Sequence, residues 1–212
     1  LEVARRSRHL PFIQHPAAAD LRKLVATGQP AYGMASVGAD KLTPGAELIL
    51  RAAGRQDPRP LWVLAWGGTN TLAQALMTAR AARTPAEFEA IVSKLRVYAI
   101  ADQDDSGPWL RREFPSLQYS VSPAPQNGEE YYLATWTGIS GDRHYRNGPH
   151  HHFALVDNPW LEANVINDHG PLGALYPKLA YIMEGDTPSF LGLIENGLGW
   201  SVSPACGGWG GR

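Results

Sequence analysis

Asp102, Asp104 and Asp105 put three carboxylates within four residues, just past the apolar run Arg96-Val97-Tyr98-Ala99-Ile100-Ala101. Oxygen donors at that density suit a hard cation such as Ca²⁺ or Mg²⁺. In an open α/β sheet, ligands also collect outside the carboxyl ends of the strands. The same residues equally suit capping of a helix that starts near Pro108, and both readings stay open. Asp186, within Glu184-Gly185-Asp186-Thr187-Pro188, stands at a second helix start beside a glycine, either facing a ligand or serving as a plain N-cap. Gly67-Gly68-Thr69-Asn70 could offer backbone N–H groups and the Asn70 amide to a hydroxylated or anionic ligand. It lacks the glycine spacing of a dinucleotide fold and the Lys-Ser/Thr of a P-loop, so nucleotide phosphate is not expected there. His150-His151-His152 are adjacent, so their side chains diverge, and a surface or packing role is expected rather than a metal site. Trp136, Trp160, Trp200 and Trp209 alternate with glycine and asparagine and could stack on sugars or bases, with loop anchoring as the plainer alternative. No Gly-x-Ser-x-Gly elbow occurs and Cys206 has no arranged histidine, which argues against a serine or cysteine nucleophile.

The elements that must position these residues follow from apolar periodicity and from proline and glycine punctuation. A weakly amphipathic helix is expected over residues 17–27 and a strand over 31–38. Thr43-Pro44 then opens a helix to about Ala53. Pro60-Leu61-Trp62-Val63-Leu64-Ala65-Trp66 reads as a strand covered on both faces, followed by a helix over 71–82. Thr84-Pro85-Ala86-Glu87 is a capping box for a helix to Leu95, and 96–101 is the next strand. A helix over 108–114, a strand over 118–122 and a helix over 188–195 complete the regular elements. Residues 123–177 lose periodicity and read as an elaborated loop region with short helices. The alternation of strand and helix predicts an α/β fold with a doubly wound, mostly parallel sheet in one domain over 1–212.

With 44% hydrophobic and 18% charged residues and a formal charge of -1, the 212-residue chain has the balance of a globular domain and no field to recruit nucleic acid or an anionic membrane. One cysteine excludes an internal disulfide. No apolar run approaches the roughly 20 residues of a membrane span. A small or uncharged ligand is the expected partner, and self-association is left open.

Several segments together resemble one family. Leu61-Trp62-Val63-Leu64-Ala65-Trp66-Gly67-Gly68-Thr69-Asn70, Tyr98-Ala99-Ile100-Ala101-Asp102-Gln103-Asp104-Asp105-Ser106-Gly107, Ala134-Thr135-Trp136-Thr137-Gly138-Ile139, His169-Gly170-Pro171-Leu172-Gly173, Glu184-Gly185-Asp186-Thr187-Pro188 and Gly208-Trp209-Gly210-Gly211-Arg212 are similar, in this order, to cellulose-binding proteins with a nucleoside hydrolase-like domain. The resemblance implies an inosine-uridine nucleoside hydrolase-type fold, in secreted proteins often followed by a β-sandwich domain, and hence an extracellular or periplasmic location. It implies a glycosidase acting on an N-riboside or related glycoside through a metal-bound water, with Ca²⁺ as cofactor. Asp186 looks like the late metal ligand of such enzymes, and Asp102, Asp104 and Asp105 lie where the catalytic cleft would be. Trp66, Asn70, Trp136, Asn164, Asn167 and His169 become the expected substrate contacts. The alternative is a non-catalytic cellulose- or glucan-binding protein on the same fold. The aspartate cluster that supplies most of the metal ligands in those enzymes has no counterpart here, since no Asp-x-Asp pair precedes residue 102. Either the N-terminal strand of the domain lies upstream of Leu1, which we expect, or this version has lost the metal site and with it any hydrolase activity.

Overall fold

The computed structural model describes residues 17–121, 136–137, 153–155, 157–177, 183–184 and 186–194. A short helix α1 (Ala18–Arg22) buries none of its residues. The expectation of a helix over 17–27 is thus corrected to one and a half turns, because no apolar stripe there finds a partner. Next comes a loop, residues 28–43, that contains a single 3₁₀ turn, Met34–Ser36. This corrects the strand expected over 31–38. Gly33 adopts φ 59, which breaks an extended run, and the polar groups of this loop bond to side chains rather than to a neighbouring strand.

The α/β core follows. Helix α2 (Pro44–Ala53) is capped by Thr43, with Pro44 in its first turn, as the sequence predicts. Strand β1 (Leu61–Ala65) leads to α3 (Asn70–Ala82), then α4 (Pro85–Lys94), β2 (Leu95–Ala99), α5 (Ser106–Glu113) and β3 (Gln118–Val121). Both halves of the predicted capping box form at α4, where Glu87 N–H donates to Thr84 Oγ1 and Thr84 N–H donates to the Glu87 carboxylate.

The three strands are parallel in the order β1-β2-β3, with Leu61 opposite Leu95, Ala65 opposite Ala99 and Ala99 opposite Val121. The register brings all three carboxyl ends to one level, and Ile100 N–H still donates to Ala65 O at 3.1 Å just beyond it. The central strand β2 is the most covered, whereas β1 is half-buried along most of its length. Between strands and helices lies a core of Leu72, Leu76, Val92, Leu95, Val97, Leu110, Phe114 and Leu117. Phe114 meets Phe88 and Trp109 at 5.5 Å between ring centroids, and the Arg80 guanidinium lies 5.0 Å from the Phe114 centroid.

Beyond the sheet, β4 (Trp136–Thr137) pairs antiparallel with β5 (Met183–Glu184), setting Trp136 opposite Glu184. A 3₁₀ turn (Phe153–Leu155), helix α6 (Asn158–Leu161), a π-helical turn (Glu162–Ile166) and helix α7 (Gly170–Ala174) supply the short helices expected in this region. Among the described residues helix α8 (Thr187–Leu191) is the last, and it is shorter than the span 188–195 read from the sequence. Among the described residues no helix is long and apolar enough to cross a membrane. His150, His151, His152, Trp200, Cys206 and Trp209 lie outside the described residues.

Candidate functional site

The level carboxyl ends of β1 and β2 place two loops side by side, residues 66–69 after β1 and residues 100–105 after β2. Gln103 Nε2 donates to Trp66 O at 3.2 Å, so the loops touch directly. Beneath them, Thr69 and Ser106 are buried with their hydroxyl oxygens 2.8 Å apart. Ser106 donates both its backbone N–H, at 2.9 Å, and its hydroxyl to Asp104 Oδ1. A serine has one hydroxyl proton. With that proton on Asp104, the proton between Thr69 and Ser106 must come from Thr69, which then accepts from the Tyr119 hydroxyl at 3.5 Å. The result is a one-way row of donors, Tyr119 to Thr69 to Ser106, ending on the buried carboxylate of Asp104.

Gly68 lies against the same carboxylate, and a Cβ built on it would collide with Asp104. The backbone of the β1 loop can reach the β2 loop this closely only without a side chain.

Burial holds the Tyr119 phenol above its ordinary value of 10.0. The unfolded chain therefore gives up this proton first. The associated stability is complete below the unfolded pKa and is lost as pH rises from there through the raised folded pKa. Tyr119→Phe is expected to flatten the alkaline fall in stability, read from urea midpoints taken on both sides of pH 10.0. Equally steep falls in the two proteins would show that Tyr119 is not its source.

The three clustered aspartates are turned to three different partners. Asp102 forms a two-pronged ion pair with Arg111 at 2.9 and 2.7 Å, and Arg111 lies over the Tyr119 ring at 5.0 Å. Asp104 holds Ser106 at the start of α5. Asp105, at the N-cap position of α5, makes no side-chain cap there and instead accepts from Met34 N–H at 2.8 Å. Asn70 donates to Ala31 O at 2.8 Å and to Ser36 Oγ at 3.1 Å, pinning the 28–43 loop.

Asp186 reaches the same strand ends by another route. Trp66 Nε1–H donates to Ser189 Oγ at 2.8 Å, and Ser189 Oγ–H donates in turn to Asp186 O at 2.6 Å. Trp66 and Phe190 rings stand 6.3 Å apart. Asp186 is half-buried at the N-cap position of α8, without a side-chain cap bond. Trp136, by its pairing with Glu184, runs beside the strand that leads to Asp186.

Asn164, Asn167 and His169 are placed differently. Asn164 Nδ2 donates to Trp160 O at 2.9 Å, and His169 Nδ1 bonds Asn167 O, so these contacts stay within their own helical segment. The sequence read Thr69 only as part of the turn over 67–70 and Ser106 only as a capping residue, and it did not single out Gln103, Arg111, Tyr119 or Ser189. Of these only Arg111 carries a readable signal, a cation nine residues past Asp102 on the expected α5.

Among the described residues the donors do not assemble a Ca²⁺ site. Such an ion takes about 6 to 8 oxygens, yet the three aspartates point to separate protein partners. Among the described residues no three His, Cys, Asp or Glu gather where they could hold a metal ion. What the surface does present is aromatic. Trp66 is 51% exposed with its indole edge fixed by Ser189, and Phe190 beside it is 36% exposed.

Comparison with known proteins adds two findings. The profile of the family described as "Cellulose-binding Sde182, nucleoside hydrolase-like domain" matches residues 5–212. A solved structure, described as a nucleoside hydrolase-related hypothetical protein from Saccharophagus degradans that is associated with carbohydrate metabolism, superposes with a TM-score of 0.69 at 37% sequence identity. The similarity covers 93% of this chain and 41% of that one, so the chain spans less than half the length of the solved protein. No curated protein matches.

Proposed function

The chain belongs to the family of cellulose-binding proteins with a nucleoside hydrolase-like domain, and from that premise we propose that it binds a β-linked glucan chain at the carboxyl ends of β1 and β2 without cleaving it. The observation that carries this reading is Trp66, half-exposed at the strand end with its indole held in place by Ser189. A sugar ring has apolar C–H faces and hydroxyl-bearing edges. Stacking one face on a fixed indole removes apolar area from water at little entropy cost, because the ring is ordered before the ligand arrives. Asp102 and Arg111, with side chains about a third exposed at 30% and 34%, stand at the same end of the sheet as partners for hydroxyl groups. A cellulose-type β-linked glucan is met outside the cytoplasm, so an extracellular or periplasmic location goes with this reading.

Glycoside hydrolysis on an N-riboside or related glycoside is the second reading, favoured by the half-buried Asp186, whose backbone carbonyl, through Ser189, places it near Trp66. Ca²⁺ and the remaining carboxylates of such a site would have to come from outside the described residues. Hydrolysis ranks second because Asp102, Asp104 and Asp105 are each held by a protein partner.

The test is titration calorimetry with a soluble cello-oligosaccharide, run beside assays for released ribose and reducing sugar. Trp66→Ala is expected to weaken binding about tenfold or more, or ~1.4 kcal/mol. Undiminished affinity in that variant would overturn the Trp66 reading. Steady release of sugar by the unaltered chain would replace binding with hydrolysis.

A further inference from the structure

We propose that Tyr32 forms a second aromatic subsite on the same rim, so that the ligand is a run of several uncharged sugar units rather than a single glycoside; this rests on the glucan-binding reading of Trp66. Tyr32 is 71% exposed, more than Trp66 at 51%. The Tyr32 ring offers apolar area on which the C–H face of a sugar can stack. The loop that carries it is not free. On one side Ala31 O accepts from Asn70 Nδ2 at 2.8 Å, and on the other Met34 N–H donates to Asp105 Oδ1 at 2.8 Å.

These two bolts come from the candidate site itself. Asn70 is the first residue of α3, four residues past Trp66, and Asp105 ends the loop after β2. Four residues of chain span at most about 14 Å, so the anchor of Tyr32 and the backbone of Trp66 belong to one stretch of surface. Between the bolts, Gly33 at φ 59 turns the chain, and Ser36 Oγ–H donates to Gly33 O at 2.9 Å. Tyr32 is thus presented on a fixed backbone, as Trp66 is presented on a fixed indole.

The charge of the ligand follows from where the polar groups of the loop go. Gln29 Nε2 donates to Ser36 O and Lys41 O, Gln29 Oε1 accepts from Thr43, and Lys41 Nζ donates to Ala35 O. These bonds tie the amide and ammonium groups to the loop's own backbone, while Asp40 and Lys41 stay exposed with opposite charges, so the loop carries no net charge beside the Tyr32 ring. Such a surface selects a neutral, hydroxylated chain over a charged one.

The experiment is titration calorimetry of the whole chain with cello-oligosaccharides from the disaccharide to the hexasaccharide, on the unaltered protein, Tyr32→Ala, Tyr32→Phe and Trp66→Ala. The unaltered protein is expected to bind more tightly as the oligosaccharide lengthens. Tyr32→Ala should remove that gain, weakening the hexasaccharide about tenfold while leaving the disaccharide unchanged, and Tyr32→Phe should keep most of it. Matching melting temperatures would show that the variants are folded. If Tyr32→Ala binds the hexasaccharide as tightly as the unaltered protein while Trp66→Ala does not, the second subsite is wrong and the glucan-binding reading survives. If neither variant alters binding, that reading fails and takes this inference with it.

Discussion

Gly68→Ala is expected to lower stability by about 2 to 3 kcal/mol, at the upper end for a small residue enlarged in a packed setting. The new methyl group would occupy the place of the Asp104 carboxylate, which is 7% exposed and fixed by two bonds from Ser106. Either the β1 loop lifts from the β2 loop, or Asp104 turns away and leaves the buried Ser106 N–H and hydroxyl without their acceptor. Both outcomes disturb Trp66, two residues away, so oligosaccharide binding should weaken together with stability. Urea denaturation and calorimetry on the same preparation measure the two effects. An unchanged midpoint would mean that the loops are not held together as described.

Leu76→Ala is expected to cost about 3 kcal/mol, within the range of roughly 2 to 5 for truncation of a fully buried leucine. Leu76 is 0% exposed on α3 and belongs to the core formed with Leu72, Val92, Leu95 and Leu110. For a chain of this length, that loss lowers the melting temperature by roughly 6–12 °C. Leu76 has no part in the rim, so the folded variant should bind oligosaccharide with unchanged affinity. The pair therefore separates the two layers of the molecule. Gly68→Ala perturbs stability and site together, whereas Leu76→Ala perturbs stability alone. A drop in affinity for folded Leu76→Ala would show that the core and the rim are coupled.

The core was legible in the sequence because each of its parts obeys a local rule. Residues 60–66 read as a strand from an apolar run alone, and Thr84 with Glu87 reads as a helix start from spacing alone. The loop over 28–43 was misread because its conformation is set by residues far along the chain. Gln74, 36 positions from Gly38, both donates to and accepts from it, and Asp105 reaches Met34 across 71 positions. Periodicity holds no trace of such bonds, and an alternating Ala-Tyr-Gly-Met pattern looks extended until Gly33 turns it.

The candidate site was legible in a coarser way. The strand ends were readable as the place where residues 66–70 and 101–105 meet, since that follows from a parallel sheet with level ends. The directions of the individual carboxylates were not. Three aspartates within four residues look like one cluster in a line of text, but Asp102 turns to α5, Asp104 to the buried hydroxyls and Asp105 to the loop. The link from Trp66 to Ser189 spans 123 positions and leaves no local trace in the sequence.

The manner in which the 28–43 loop is fastened has a consequence for how the molecule breathes. Its bonds to the rest of the fold run to the side chains of Asn70, Thr71, Gln74 and Asp105, not to a strand ladder. A ladder is shared with neighbouring strands and opens only when the sheet does. Side-chain fastenings can release together while β1, β2 and β3 stay paired, which makes the loop a cooperative unit of its own with an opening energy below that of the whole fold. The loop can thus open on a faster clock than the sheet beneath it, and its closed state, in which Tyr32 rests on a fixed backbone, is the one that receives the polymer.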